Sequence, residues 1–239
     1  MKRVRLGVLT PSSNTALEPL TCAMLAGVPE VSAHFSRFTV TQISLEQAAL
    51  GQFDDSKILA AARLLADAHV DVIGWSGTAA GWMGFEADRQ LCRRITTATG
   101  IPATTSVLAL NELLDALGAR TLGLVSPYLP DVQARIIDNY RTQGVETLAE
   151  AHLSLQENFA FAEVDAATLS RLVADVAAAA PAAITTFCTN LSAAQLVDQW
   201  EREHGIPVLD TVATVVWKML RMSGVDTRRV SGWGRLMEV

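Results

Sequence analysis

The second half of this chain echoes the first. Leu6-Gly7-Val8-Leu9-Thr10-Pro11 returns as Leu122-Gly123-Leu124-Val125-Ser126-Pro127, and Val72-Ile73-Gly74-Trp75-Ser76-Gly77-Thr78 returns as Ala183-Ile184-Thr185-Thr186-Phe187-Cys188-Thr189. Gly100-Ile101-Pro102, followed by a helical stretch, returns as Gly205-Ile206-Pro207, followed by another. A duplicated pattern of strands and helices restricts the fold to two similar layered units. Gly77 and Cys188 then hold equivalent places, so a glycine stands where its counterpart carries a thiol.

Each copy alternates continuous apolar strands with amphipathic helices, the pattern of parallel sheets covered on both faces. Strands are expected at Arg3 to Thr10, Phe35 to Thr41, Val70 to Trp75 and Ile101 to Thr104. Helices are expected from a Ser13 or Asn14 cap to Leu25, then over Asp54 to Ala68, Glu86 to Thr97 and Val107 to Leu117. The second copy predicts strands at Thr121 to Val125, Glu146 to Leu153, Ala183 to Phe187 and Val208 to Leu209. Its helices fall at Asp131 to Arg141, Ala166 to Ala180, Ala193 to His204 and Val212 to Met222. The expected fold is α/β: two pseudo-symmetric lobes, each a parallel sheet flanked by helices, with the active site in the cleft between them. Residues 1–119 would form the N-terminal lobe, completed by the C-terminal helix at about 212–239. Residues 120–211 would form the C-terminal lobe.

Half of the 239 residues are apolar, ample for a core. No apolar window approaches the roughly 18 residues of a membrane span. Met1-Lys2-Arg3-Val4-Arg5 is basic, but the apolar run after it soon meets Pro11-Ser12-Ser13-Asn14. That is a buried strand entering a loop rather than a signal peptide. A soluble, cytoplasmic protein without a membrane partner is expected. The net charge of -6 argues against a nucleic-acid partner, and Arg93-Arg94 and Arg228-Arg229 read as solvated surface charge. Three cysteines without metal-ligand spacing fit a reducing compartment and no disulfide framework. His34, His69, His152 and His204 are scattered, so neither a zinc site nor a His-based triad has support. The oligomeric state stays open.

Ligands of open α/β sheets bind beyond the carboxyl ends of the strands. Four loops qualify: Pro11 to Thr15, Ser76 to Ala79, Ser126 to Tyr128, and Cys188 to Asn190. All four are expected to open helices, whose N–H groups and dipoles suit an anion such as a carboxylate. The Gly74 to Gly84 stretch matches neither a phosphate loop nor a dinucleotide fingerprint. Cys188 is the leading catalytic candidate, with a thiol whose pKa a helix N-terminus would lower. Cys22 and Cys92 read as mid-helix residues on apolar faces. Thr78 and Tyr128 offer hydroxyl donors, although Thr78 could instead cap a helix and Tyr128 could pack a loop. Asn14 and Ser13 read as a cap or as hydrogen-bond donors to a carboxylate, and Asn158 as a weaker candidate of the same kind. Trp75, Trp82, Met83 and Phe187 are available as apolar walls.

Pro11-Ser12-Ser13-Asn14-Thr15 after the first strand, with Cys188 ending a later one, resembles the aspartate/glutamate racemase superfamily. Within it the chain is similar to the maleate cis-trans isomerase and arylmalonate decarboxylase branch, over essentially its whole length to Gly232-Trp233-Gly234-Arg235-Leu236. The resemblance implies a two-lobed, cofactor-independent enzyme acting on a small dicarboxylate. Racemases and maleate isomerases of this superfamily carry a cysteine in each lobe. The decarboxylase keeps only the second, with glycine replacing the first, and Gly77 and Cys188 follow that pattern. By the same resemblance Thr78, Tyr128 and the backbone N–H groups of Ala79 and Thr189 form a pocket for an enediolate. Asn14 and Asn158 match asparagines that maleate isomerases use on carboxylates, and Ala79 replaces a hydroxyl residue of the decarboxylase.

A two-base racemase needs a proton carrier on each face, and Gly77 supplies none. One thiol suffices if the carbanion arises by loss of CO₂. The leading expectation is a cofactor-free decarboxylase of a substituted malonate-like acid, protonated by Cys188. A maleate isomerase or an Asp/Glu-type racemase, with Ser76 or water in place of the lost thiol, is the alternative. A carboxylate-binding protein with degenerate catalysis is the third.

Overall fold

The computed structural model describes residues 3–46, 51–53 and 55–239. The basic start at Met1 and Lys2 and the helix start at Asp54 lie outside these residues. The first copy runs β1 (Val4–Pro11), α1 (Leu17–Leu25), β2 (Val31–Phe38), α2 (Asp55–Asp67), β3 (Val72–Trp75), α3 (Ala80–Met83), α4 (Phe85–Thr99), β4 (Ala103–Thr105) and α5 (Ser106–Ala116). The second runs β5 (Thr121–Ser126), α6 (Pro130–Thr142), β6 (Glu146–His152), α7 (Ala166–Ala177), β7 (Ala183–Thr186), α8 (Val197–His204), β8 (Val208–Asp210) and α9 (Thr211–Met222).

The strands form two four-stranded parallel sheets with matching orders, β2-β1-β3-β4 and β6-β5-β7-β8. β1 pairs with β3 from Leu6↔Val72 to Leu9↔Trp75, and β5 with β7 from Leu122↔Ala183 to Val125↔Thr186. The internal echo is therefore a repeat of topology as well as of letters. Central strands are buried on both faces, as the adjacent pairs Val8 and Leu9, Val72 and Ile73, Leu124 and Val125, and Ala183 and Ile184 demonstrate. α9 lies across α5, β3 and α1, so the last long helix covers the first sheet. Among the described residues no helix is long and apolar enough to cross a membrane.

Three expectations shift. β2 spans Val31–Phe38 instead of Phe35 to Thr41, because its pairing with β1 runs from Val4↔Val31 to Pro11↔Phe38 and stops where β1 stops. Beyond Phe38, hydroxyls of the first loop take up the backbone: Ser12 Oγ accepts from Val40 N at 3.2 Å, and Ser13 Oγ donates to Val40 O at 2.6 Å. The helix foreseen from Ala193 becomes a 3-10 turn at Ala194–Leu196 followed by α8. Finally, α1 starts at Leu17, although Asn14 Oδ1 still accepts from Ala16 N and Leu17 N at 3.1 and 2.9 Å.

Candidate active site

The carboxyl ends of β1, β3, β5 and β7 converge on one pocket. Its lining is Pro11, Val40, Ile43, Trp75, Gly77, Thr78, Ala79, Trp82, Tyr128, Asn158, Cys188 and Thr189. Seven expected residues thus meet: Gly77, Thr78, Ala79, Tyr128, Asn158, Cys188 and Thr189. The free cavity is only about 20 Å³, room for about one water.

Cys188 is buried at the end of β7. The chain then turns, so no regular helix begins there, and the expected helix-lowered pKa is not found. Burial instead pushes the thiol up to about 12; hydrogen bonds from Tyr128 and the backbone of Asn190 and Leu191 pull the other way, while the charge of Asp210 adds to the rise. The backbone N–H of Asn190 reaches the sulfur at 3.4 Å. At neutral pH this group is a protonated thiol, an acid with a proton to give rather than a ready thiolate.

Tyr128 joins the thiol to the opposite lobe. Its hydroxyl lies 2.6 Å from Thr78 Oγ1 and is also hydrogen-bonded to Cys188. Burial is the main cause holding its pKa well above the ordinary phenol value. A relay from the Thr78 hydroxyl to the Tyr128 hydroxyl to sulfur uses each hydrogen once. Trp82 and Phe161 meet the Tyr128 ring edge-on, at 5.4 and 5.6 Å between centroids, and fix its plane.

Across the pocket, the space beyond Gly77 is full. A Cβ built there would overlap Cζ2, Cε2 and Cη2 of Trp75. Trp75 is itself held by Phe38, at a centroid distance of 5.0 Å. Glycine is required at 77 by this close approach. Ser76 is fully buried, its hydroxyl finds no hydrogen-bond partner, and it is absent from the pocket lining. The structure therefore does not bring Ser76 to the pocket, where the isomerase alternative set Ser76 or water in place of the lost thiol.

Asn14 and Ser13 do not line the pocket. Asn14 is 1% exposed and wholly engaged: besides capping α1, its Nδ2 donates to the carbonyl and hydroxyl of Thr189 at 3.1 and 3.3 Å. It stitches the lobes together and leaves no hydrogen for a ligand carboxylate in this arrangement. Ser13 accepts from Asn158 Nδ2 at 2.7 Å while donating to Val40, and so sits one layer behind. Asn190 is the residue whose importance the sequence did not reveal. Its Oδ1 accepts from Thr15 N and Ala16 N at 2.9 and 3.2 Å, and its Nδ2 donates to Asn158 O at 2.6 Å.

Val40 and Ile43 carry no mark of a site in the sequence: Val40 falls in the run that reads as strand to Thr41, and Ile43 lies just beyond it. They belong to a strap bridging the lobes: Ile43 N donates to Gln156 O at 3.0 Å, and Asn158 N donates to Thr41 O at 2.9 Å. Of the expected walls, Trp75 and Trp82 serve; Met83 is 45% exposed, and Phe187 packs under Gly81 and Tyr140. Cys22 is exposed rather than on an apolar face, and Cys92 is half-buried, with burial pushing its thiol up to about 12.

Two matched parallel sheets with a small, buried, thiol-bearing pocket at their strand ends define the two-lobed α/β class of the aspartate/glutamate racemase-like superfamily. Within it the chain belongs to the arylmalonate decarboxylase family, whose model matches residues 11–237. It is 29% identical to a maleate isomerase of Pseudomonas putida, with 98% of this chain and 96% of that protein covered. It is also 29% identical to the arylmalonate decarboxylase of Bordetella bronchiseptica, over 74% of this chain and 75% of the other. The crystal structure of a maleate isomerase from another Pseudomonas putida strain superimposes with a TM-score of 0.91 at 27% identity, covering 99% and 98% of the two chains.

Proposed function

We propose that the protein is a cofactor-independent decarboxylase of a 2-substituted malonate, with Cys188 as the proton donor. The observation that carries this reading is the asymmetry of the pocket. One lobe presents a neutral thiol; the other presents Gly77 roofed by an indole, which neither adds to a double bond nor carries a proton at neutral pH. Racemisation and thiolate addition need a second reactive group, whereas decarboxylation needs only one acid.

One carboxylate of the substrate would accept hydrogen bonds from the backbone N–H groups of Ala79 and Thr189, from the remaining Nδ2 hydrogen of Asn158 and from the Thr78 hydroxyl turned away from Tyr128, which keeps its own hydrogen on the sulfur. The other would lie against Pro11, Val40 and Ile43. An ionised carboxylate beside apolar walls loses hydration without compensation, and the neutral product CO₂ does not. The bond between this carboxylate and the α-carbon breaks. Its electron pair moves into the retained carboxylate, giving an enediolate whose charge the fixed donors stabilise. Cys188 transfers its proton to the α-carbon from one face, the Tyr128 hydroxyl supports the resulting thiolate, and a solvent proton restores the thiol. The net reaction consumes one proton and yields a monocarboxylate and CO₂.

The second reading, maleate isomerisation, is favoured by Asn158 in the lining and by the activity named for the Pseudomonas relative. One assay separates the two. Release of CO₂ from a 2-substituted malonate supports decarboxylation, and fumarate formed from maleate without CO₂ supports the alternative. Binding of both acids with no turnover would indicate a carboxylate-binding protein and reject both.

A further inference from the structure

The Trp75 indole is a partition between two cavities. On one side is the reaction pocket, about 20 Å³, with the ring pressed onto Gly77. On the other is a second cavity of about 70 Å³ that Trp75 and Ala79 also line, together with Ile58, Ala80, Ala87 and Leu91. With the carboxylates on the polar residues and the strap, a group on the substrate's α-carbon meets the indoles of Trp75 and Trp82, and of the two it is Trp75 that also lines a second cavity. The ring, 2% exposed and braced by Phe38, leaves that group little space.

Resting on the decarboxylase reading, we infer that Trp75 sets the size limit for the α-substituent. The substrate is therefore a malonate bearing a substituent of methyl size rather than an aryl ring. Removing the indole would join the pocket to the cavity behind it and admit a ring. Small side chains at Ala79, Ala80 and Ala87 leave room in the second cavity for an apolar group, although Asp88 and Arg94 line it too.

The test compares CO₂ release from methylmalonate and phenylmalonate by wild type, Trp75→Ala and Trp75→Phe. Wild type should prefer methylmalonate by about 100-fold or more in kcat/KM, on the scale by which a closed pocket rejects groups too large for it. Trp75→Ala should raise kcat/KM for phenylmalonate at least about tenfold and lower it for methylmalonate. Trp75→Phe should fall between, which keeps the test intact if the alanine variant does not fold. Equal use of both acids by wild type, or no gain for phenylmalonate in either folded variant, overturns the size limit and leaves the decarboxylase reading standing. If wild type releases CO₂ from neither acid, the decarboxylase reading fails. Calorimetric binding to Cys188→Ala then decides the size limit alone: methylmalonate bound and phenylmalonate refused supports it, and any other pattern overturns it.

Discussion

Cys188 and Gly77 carry the chemistry in opposite ways. Burial keeps the Cys188 proton on sulfur, since the thiol is pushed up to about 12. The pH profile of kcat/KM should therefore show no alkaline limb from this group below about pH 10; a limb near the ordinary thiol range of about 8.5 would contradict a buried thiol donor. Gly77 is held at glycine by the indole above it. Gly77→Cys alone should cost about 1–3 kcal/mol of stability, the usual penalty for overpacking, read as a lowered denaturant midpoint. Combined with Trp75→Ala it should recover that loss and gain exchange of the substrate's α-proton with solvent, followed by NMR. A single variant as stable as wild type would mean that the indole does not occupy the place of the missing side chain.

At the scale of elements, the repeat uses the same places with different letters. Thr105 caps α5 through Leu108 N, and Asp210 caps α9 through Val212 N and Ala213 N, each just after its Gly-Ile-Pro segment. Both copies also bury a carboxyl against a threonine: Thr105 donates to Asp88 at 2.5 Å and Thr186 to Asp210 at 2.7 Å. Burial is the main cause raising the first to about 7 and the second to about 6. The folded state thus prefers the protonated acids, and this contribution is full below the ordinary carboxylate range and lost as pH rises through those values. Asp88→Asn should gain stability relative to wild type between about pH 4 and pH 8, by on the order of 4 kcal/mol. Urea unfolding at both ends of that range measures it, and a pH-independent difference would show that Asp88 titrates normally.

Much of the molecule was legible because repeats and strand periodicity depend on local letters. The two parallel sheets and the convergence of four strand-end loops follow from them, and the family resemblance adds pocket residues such as Asn158. What could not be read depends on contacts between distant segments. Asn14, readable as a cap or as a carboxylate donor, caps α1 and spends its amide hydrogens on Thr189, while nothing local in Val40, inside the expected strand, or in Ile43, just beyond it, points to their partners Ser12, Ser13 and Gln156. Cys188 was assigned a lowered pKa because a helix was expected after it, whereas a turn follows and burial dominates. Asn190 makes three side-chain hydrogen bonds, two of them to Thr15 and Ala16 of the other lobe, so Asn190→Ala should destabilise the protein by about 2–4 kcal/mol, seen as a lower thermal midpoint. A midpoint within a degree of wild type would show that the lobes do not depend on this junction.

The most direct measurement is CO₂ release from the 2-substituted malonate that wild type uses best, repeated with Cys188→Ser. A single thiol proton donor predicts a folded variant whose kcat falls by about 10²–10⁴-fold, the usual worth of a positioned general acid. A rate within threefold of wild type would contradict the account, because the proton would then come from elsewhere.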